Sequence, residues 1–170
     1  YVTEVGEGVE DFHEGELIGG VPTVPCLRCY YCQHGKEHLC TDSRIIGYRI
    51  NGGLAEYMKF PREAIERRCV FHAAAHLSPA EVSLAEPLGC VLNGATQYQT
   101  QVGDTVLIIG AGPIGLLHTQ VNRLLGASQI IVSDPSAPRR EVAKQFGATH
   151  TVDPTATDLE QYVRDLTDGL

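Results

Sequence analysis

Thr105-Val106-Leu107-Ile108-Ile109-Gly110-Ala111-Gly112-Pro113-Ile114-Gly115 is the stretch on which the fold turns. Five apolar or β-branched residues run without a break, as expected of a parallel strand buried on both faces. A G-x-G-x-x-G turn follows, and then Pro113–Leu125 places Ile114, Leu117, Val121 and Leu124 at helical spacing, with Gly126 as a stop. The glycine motif alone is weak, but between a buried strand and a helix it has the setting it requires. Gly110 permits the tight turn, Gly112 lets backbone approach a pyrophosphate, and Gly115 lets the helix pack close to the strand. Pro113 and Ile114 open the helix, whose free N–H groups would face phosphate.

Outward from this unit the pattern repeats. Gln129–Ser133 (QIIVS) reads as a second buried strand and ends at Asp134, 19 residues beyond Gly115. An acid there would accept hydrogen bonds from the adenosine ribose hydroxyls and repel a 2′-phosphate, which favours NAD over NADP. Arg139 and Arg140 stand close enough to weigh the other way, and Asp134 could simply open a turn before Pro135. Ser136 can cap a helix with Val142, Ala143 and Phe146 inward. Thr149–Val152 is a third short strand, and Thr157-Asp158-Leu159-Glu160 reads as a capping box before a helix. The order β-α-β-α-β-α predicts a parallel sheet, half of a doubly wound dinucleotide fold.

The first 76 residues have another character: rich in Gly, Pro and Cys, without helical periodicity, with β-like runs at Tyr1–Val5, Leu17–Ile18 and Ala55–Phe60. Helices begin at Ser78, where Ser78-Pro79-Ala80-Glu81 is a capping box, and a second helix starts at Pro87 with Glu86 at its edge. Cys26, Cys29, Cys32 and Cys40 give C-x2-C-x2-C-x7-C within this β-like region. Four thiolates can close a tetrahedral shell around zinc and leave no position for substrate, so the expected role is structural. An iron–sulfur cluster is the rival, although bacterial ferredoxin spacing has three residues and a proline at the last cysteine. His34 and His38 lie in the loop and are expected to be exposed. Cys69 and Cys90 are expected in the core. His13, His72, His76, His118 and His150 have no ligand spacing. A net charge of −8 without a basic stripe argues against nucleic acid and anionic membranes, and no apolar run nears the roughly 20 residues of a bilayer span. No signal-peptide pattern precedes the cysteines, so a reducing, cytoplasmic setting is expected.

Together these residues resemble the zinc-containing medium-chain dehydrogenase family, closest to its polyol and threonine dehydrogenase branches. The stretches are VPCLRCYYCQHGKEHLC, INGGLAEYM, LAEPLGCVLNG, and VGDTVLIIGAGPIGLLHTQ with VSDPSAPRREVAKQFGA, in the family's order. The resemblance implies an α/β chain: a partial GroES-like β-rich domain over 1–88 with the zinc lobe at 26–40, and half of a Rossmann sheet over 89–170. It implies structural-zinc ligands at Cys26, Cys29, Cys32 and Cys40, and cofactor contacts at Ile114, Asp134 and Arg139. Read from local physics, Glu86 could be no more than a carboxylate favoured by a helix N-terminus. The resemblance instead places it at a catalytic zinc, bound directly or through water. Family members carry a catalytic-zinc cysteine and a Gly-His-Glu segment that this sequence lacks. The expectation is therefore a piece of an enzyme about twice as long, inactive alone. That enzyme would pass hydride between a small alcohol, such as a polyol or related secondary alcohol, and NAD, with zinc, as a dimer or tetramer. A non-catalytic zinc- and dinucleotide-binding module is the alternative.

Overall fold

The computed structural model describes residues 1–169 of the chain. The chain forms two compact units, Tyr1–Glu86 and the residues from Pro87 onward.

The first unit is built of short pieces. β1 (Ile18–Gly20) pairs antiparallel with β4 (Val70–His72), and β2 (Thr23–Val24) with β3 (Arg44–Ile45). Val24, Ala64, Cys69 and Val70 form its core, with Phe12, Ile18, Phe60 and Ile65 packed against them. Neither Tyr1–Val5 nor Ala55–Phe60 forms a strand. In the former, Val2 alone exchanges backbone bonds with Gly15 and Glu16, too few to propagate a ladder. Helical turns do occur, contrary to the reading of residues 1–76: α1 (Tyr30–Gln33) and α2 (Arg62–Glu66). At four and five residues they are too short to show a period in sequence. In α3 (Pro79–Val82) the Ser78–Glu81 capping box forms in both directions.

α4 (Ala85–Tyr98) begins two residues before Pro87. Proline is accommodated because first-turn N–H groups have no intrahelical acceptor to lose. From here the second unit is regular. β5 (Thr105–Ile109), β6 (Gln129–Ser133) and β7 (His150–Val152) form a parallel sheet in the order β5-β6-β7. α5 (Pro113–Leu125) and α6 (Ala137–Gln145) provide the crossovers, and α7 (Leu159–Leu166) follows β7. Ile108, Ala111, Ile130, Val132 and Ala143 form the core on one face.

Several expectations are corrected. β6 is buried along Ile130–Ser133, but β5, paired on one side among the described residues, exposes Leu107 and Ile109. Among the described residues, burial on both faces holds only for β6. In α5, Leu117 and Val121 pack against Val91 and Ala95 of α4, whereas Ile114 and Leu124 face outward, because one stripe suffices for one partner helix. Phe146 closes α6 as its C-cap and is exposed. Ser136 occupies the N-cap of α6 without a side-chain cap bond. The N-cap of α7 is Asp158, not Thr157; its carboxylate accepts from Gln161 N–H. Cys69 is buried as expected, but Cys90 is exposed on α4. No helix among the described residues is long and apolar enough to cross a membrane.

Candidate metal lobe and nucleotide turn

The four cysteines of the lobe converge. Leu27 takes a left-handed conformation (φ 58°), which reverses the chain between Cys26 and Cys29. Cys29 then occupies the N-cap position of α1, Cys32 lies buried within it, and a 3-10 turn over Glu37–Leu39 returns the chain to Cys40. The four Sγ atoms lie within 4.8 Å of one another, the only such group of metal-type side chains among the described residues. Cys29 Sγ is 3.5 Å from Cys32 Sγ and 4.0 Å from Cys40 Sγ. Zinc–sulfur bonds of about 2.3 Å in a tetrahedron put sulfurs about 3.8 Å apart, so the donor set fits the ion. His34 and His38 are exposed and outside the cluster.

Backbone amides support thiolate charge. Cys29 N–H donates to Cys26 Sγ and Cys26 N–H to Cys40 Sγ, each at 3.3 Å. Amides of Cys32 and Thr41 bring the Cys29 thiol down to about 6, and the Arg28 amide lowers Cys26. Cys32, desolvated and beside the other sulfurs, is pushed up to about 12. Outside the shell, Arg28 Nη2 donates to Asp42 at 2.8 Å and ties the two ends of the loop.

The glycine turn sits at the C-terminal end of β5. Gly110 has φ 102°, a conformation costly for other residues, and its N–H donates to Ser133 O at the end of β6. A Cβ on Gly115 would run into the Gly110 carbonyl, so the third glycine is required by close approach of helix and turn. Gly112 is the N-cap of α5, with Pro113 in the first turn. A groove of about 380 Å³ runs past Ile109, Gly110, Gly112, Pro113, Ile114 and His118.

Asp134 is 4% exposed, and both its carboxylate oxygens are engaged at 2.8 Å: Ala111 N–H donates to one, Ser136 N–H to the other. These bonds, with Arg139 and Arg140 nearby, hold the carboxyl below the usual aspartate range against the opposing effect of burial. Asp134 thus ties the glycine turn to the loop after β6. Arg139 is exposed; Arg140 is partly buried, donating to the Asp134 carbonyl at 2.7 Å and pairing with Asp153 at 3.1 Å. The sequence reading missed that pair, since Asp153 lies beyond another strand and no local spacing links it to Arg140.

A second network escaped the sequence reading. Asn122, 1% exposed, donates to Tyr98 Oη and to the His118 carbonyl, and accepts from Thr100 Oγ1 at 2.6 Å. Tyr98 Oη lies 3.0 Å from His118 Nδ1. The hub fastens the end of α4 to α5 beside a groove of about 500 Å³ along β5. Glu86 lies half-buried in the first turn of α4, and no group of three metal-type side chains among the described residues includes it.

A β-rich unit with a four-cysteine lobe, followed by a glycine turn heading a parallel sheet, is the architecture of the zinc-dependent medium-chain dehydrogenases. Residues 1–69 match the alcohol dehydrogenase GroES-like domain, and residues 113–170 match the zinc-binding dehydrogenase domain. The L-threonine 3-dehydrogenase of Pyrococcus horikoshii is 36% identical over 168 residues, covering 99% of this chain and 47% of the relative. A crystal structure of a zinc-binding dehydrogenase from Sinorhizobium meliloti bound to NADP superposes with TM-score 0.87 at 41% identity, over 94% of this chain and 45% of that one. An alcohol dehydrogenase from Escherichia coli CFT073 complexed with NADH gives TM-score 0.86 at 32% identity, over 96% and 47%. The chain belongs to the zinc-binding alcohol dehydrogenase family and spans about half the length of the relatives it matches.

Proposed function

We propose that the chain supplies the structural-zinc lobe and the NAD-binding turn of a dehydrogenase that oxidises a secondary alcohol, with the domain boundary between residues 88 and 89. The observation that carries this reading is the Gly110–Gly115 turn, closed by Asp134 at the C-terminal ends of two parallel strands. Cys26, Cys29, Cys32 and Cys40 would hold a structural zinc. Gly110, Gly112, Pro113, Ile114 and Gly115 would take the pyrophosphate, with Asp134 on the adenosine ribose and Arg139 against the adenosine. NAD, when bound, supplies the hydride acceptor, and the alcohol would leave as a carbonyl with loss of one further proton. The chain's part is to present N–H groups at the head of α5 to the phosphates and to keep the turn rigid. Ile114, 46% exposed beside the turn, is a surface on which the cofactor can pack.

Glu86 is proposed as one ligand, direct or through water, of a catalytic zinc in the whole protein. One carboxylate by itself does not make that site. A secondary alcohol suits both branches the sequence resembles, since L-threonine 3-dehydrogenase is named for oxidation at a hydroxyl-bearing carbon. A reducing, cytoplasmic setting fits four clustered thiols, and an oligomer is expected of the whole enzyme. NADP in one structural neighbour and NADH in another show that the fold alone does not select the cofactor. Here Asp134 argues for NAD. The test is to titrate the intact protein with NADH and NADPH while following reduced-nicotinamide fluorescence. Saturable NADH binding with weaker NADPH is expected; NADPH binding as tight as NADH removes the ribose role of Asp134.

A further inference from the structure

Beside Asp134 the structure places a guanidinium that the sequence offers as a phosphate reader and the fold has already engaged. Arg140 stands in the first turn of α6, where helix N–H groups and a cation together would favour an anion. Two carboxylates of the protein fill that role. Asp134 accepts Ser136 N–H with one oxygen, and Asp153, at the end of β7, pairs with Arg140 Nη1 at 3.1 Å. The same Nη1 donates to the Asp134 carbonyl at 2.7 Å. Asp153 is itself fixed, since its second oxygen accepts from Thr155 N–H at 2.9 Å and Thr155 Oγ1 at 2.6 Å. The Arg140 and Asp153 side chains are 18% and 27% exposed, so solvent screens the pair only in part.

We propose that Asp153 is a specificity-determining positioning residue: by pairing with Arg140 it holds that guanidinium on the backbone of Asp134 and cancels its charge, leaving a 2′-phosphate without a buried cation to meet. This rests on the dinucleotide reading above. The formal charge of Asp134, Asp153, Arg139 and Arg140 together is zero, so an incoming dianion gains nothing net and faces the Asp134 carboxylate directly. Removing the charge of Asp153 frees a positive charge beside the ribose; removing Arg140 leaves a surplus negative one. The pair therefore predicts opposite changes in the ratio of NADPH to NADH dissociation constants.

The experiment is fluorescence titration of the intact protein with NADH and NADPH in wild type, Asp153→Asn, Arg140→Met and the double variant, with a melting temperature for each. Asp153→Asn should lower the ratio about fivefold, Arg140→Met should raise it about threefold, and the double variant should return to within about twofold of wild type. An unaltered ratio in Asp153→Asn with NADH binding intact overturns the proposal alone. So does an equal fall in the double variant, because Arg140 would then not be the agent. Should Asp153→Asn fail to fold, the Arg140→Met arm decides, and an unchanged or lowered ratio there overturns the proposal. A folded wild type that binds neither dinucleotide overturns the dinucleotide reading and this inference with it.

Discussion

Asp134 joins two jobs in one side chain: it closes the glycine turn through Ala111 N–H and, in the proposed function, receives the ribose. Replacing it with Ala leaves two N–H groups, of Ala111 and Ser136, without their acceptors, each costing about 1–3 kcal/mol if desolvated. A calorimetric melt should show that loss, and NADH affinity should fall with it. The sign of the pH dependence follows from the lowered carboxyl. A group depressed in the folded state contributes stability that is present above its unfolded value, near 4, and is lost as pH falls through the lower folded value. Asp134→Asn should therefore flatten the acid limb of the stability curve below about pH 4, and an acid limb of unchanged slope would show that the carboxylate is not held as described. Gly115→Ala forces a methyl onto the Gly110 carbonyl and should cost about 1–3 kcal/mol or more, together with cofactor binding. At this scale the sequence was informative where chemistry is local. The glycines and Asp134 stand at spacings that mean something on their own. Arg140 and Asp153 carry no such mark, because their meeting depends on β6 and β7 lying side by side.

At the scale of elements, the order of strands and helices in the second unit was legible because β5 and β6 are short apolar runs and the helices are punctuated by Gly, Pro or an acid. Burial was less legible. Ile109 has the same apolar character as Ile131, yet 78% of the first is exposed and none of the second, since among the described residues only β6 has a strand on both sides. In the first unit, one-turn helices and two-residue strands have too few residues to express a period, so the sequence could announce an irregular β-rich region and no more. The α4–α5 contact rests on Leu88, Val91, Ala95, Leu117 and Val121, with Asn122 as its polar hub. Asn122→Ala removes the partner of Thr100 and one partner of Tyr98, and should destabilise by about 1–3 kcal/mol in chemical denaturation. A change below about 0.5 kcal/mol, the size usual for surface substitutions, would mean that the hub is not buried as described.

For the whole molecule, the lobe and the nucleotide turn are separate stability problems in separate units. The first unit has a small core and a loop whose four thiols repel one another once ionised, so it should depend on metal. Metal analysis should give about one zinc for each four-cysteine lobe, which one closed four-thiolate shell requires. Cys32→Ser should abolish it and lower the melting temperature, while NADH affinity, which the proposed function assigns to the other unit, should change little. A brown protein with iron would replace zinc in this account. The central claim is that the glycine turn and Asp134 form a working dinucleotide site. The measurement that tests it most directly is a fluorescence titration of the intact protein with NADH, set beside Gly115→Ala. Saturation is expected with a dissociation constant in the range from about 1 μM to 1 mM typical of enzyme ligands, and no saturation in the variant. A folded wild type that leaves NADH fluorescence unchanged, and shows no heat of binding, would contradict it.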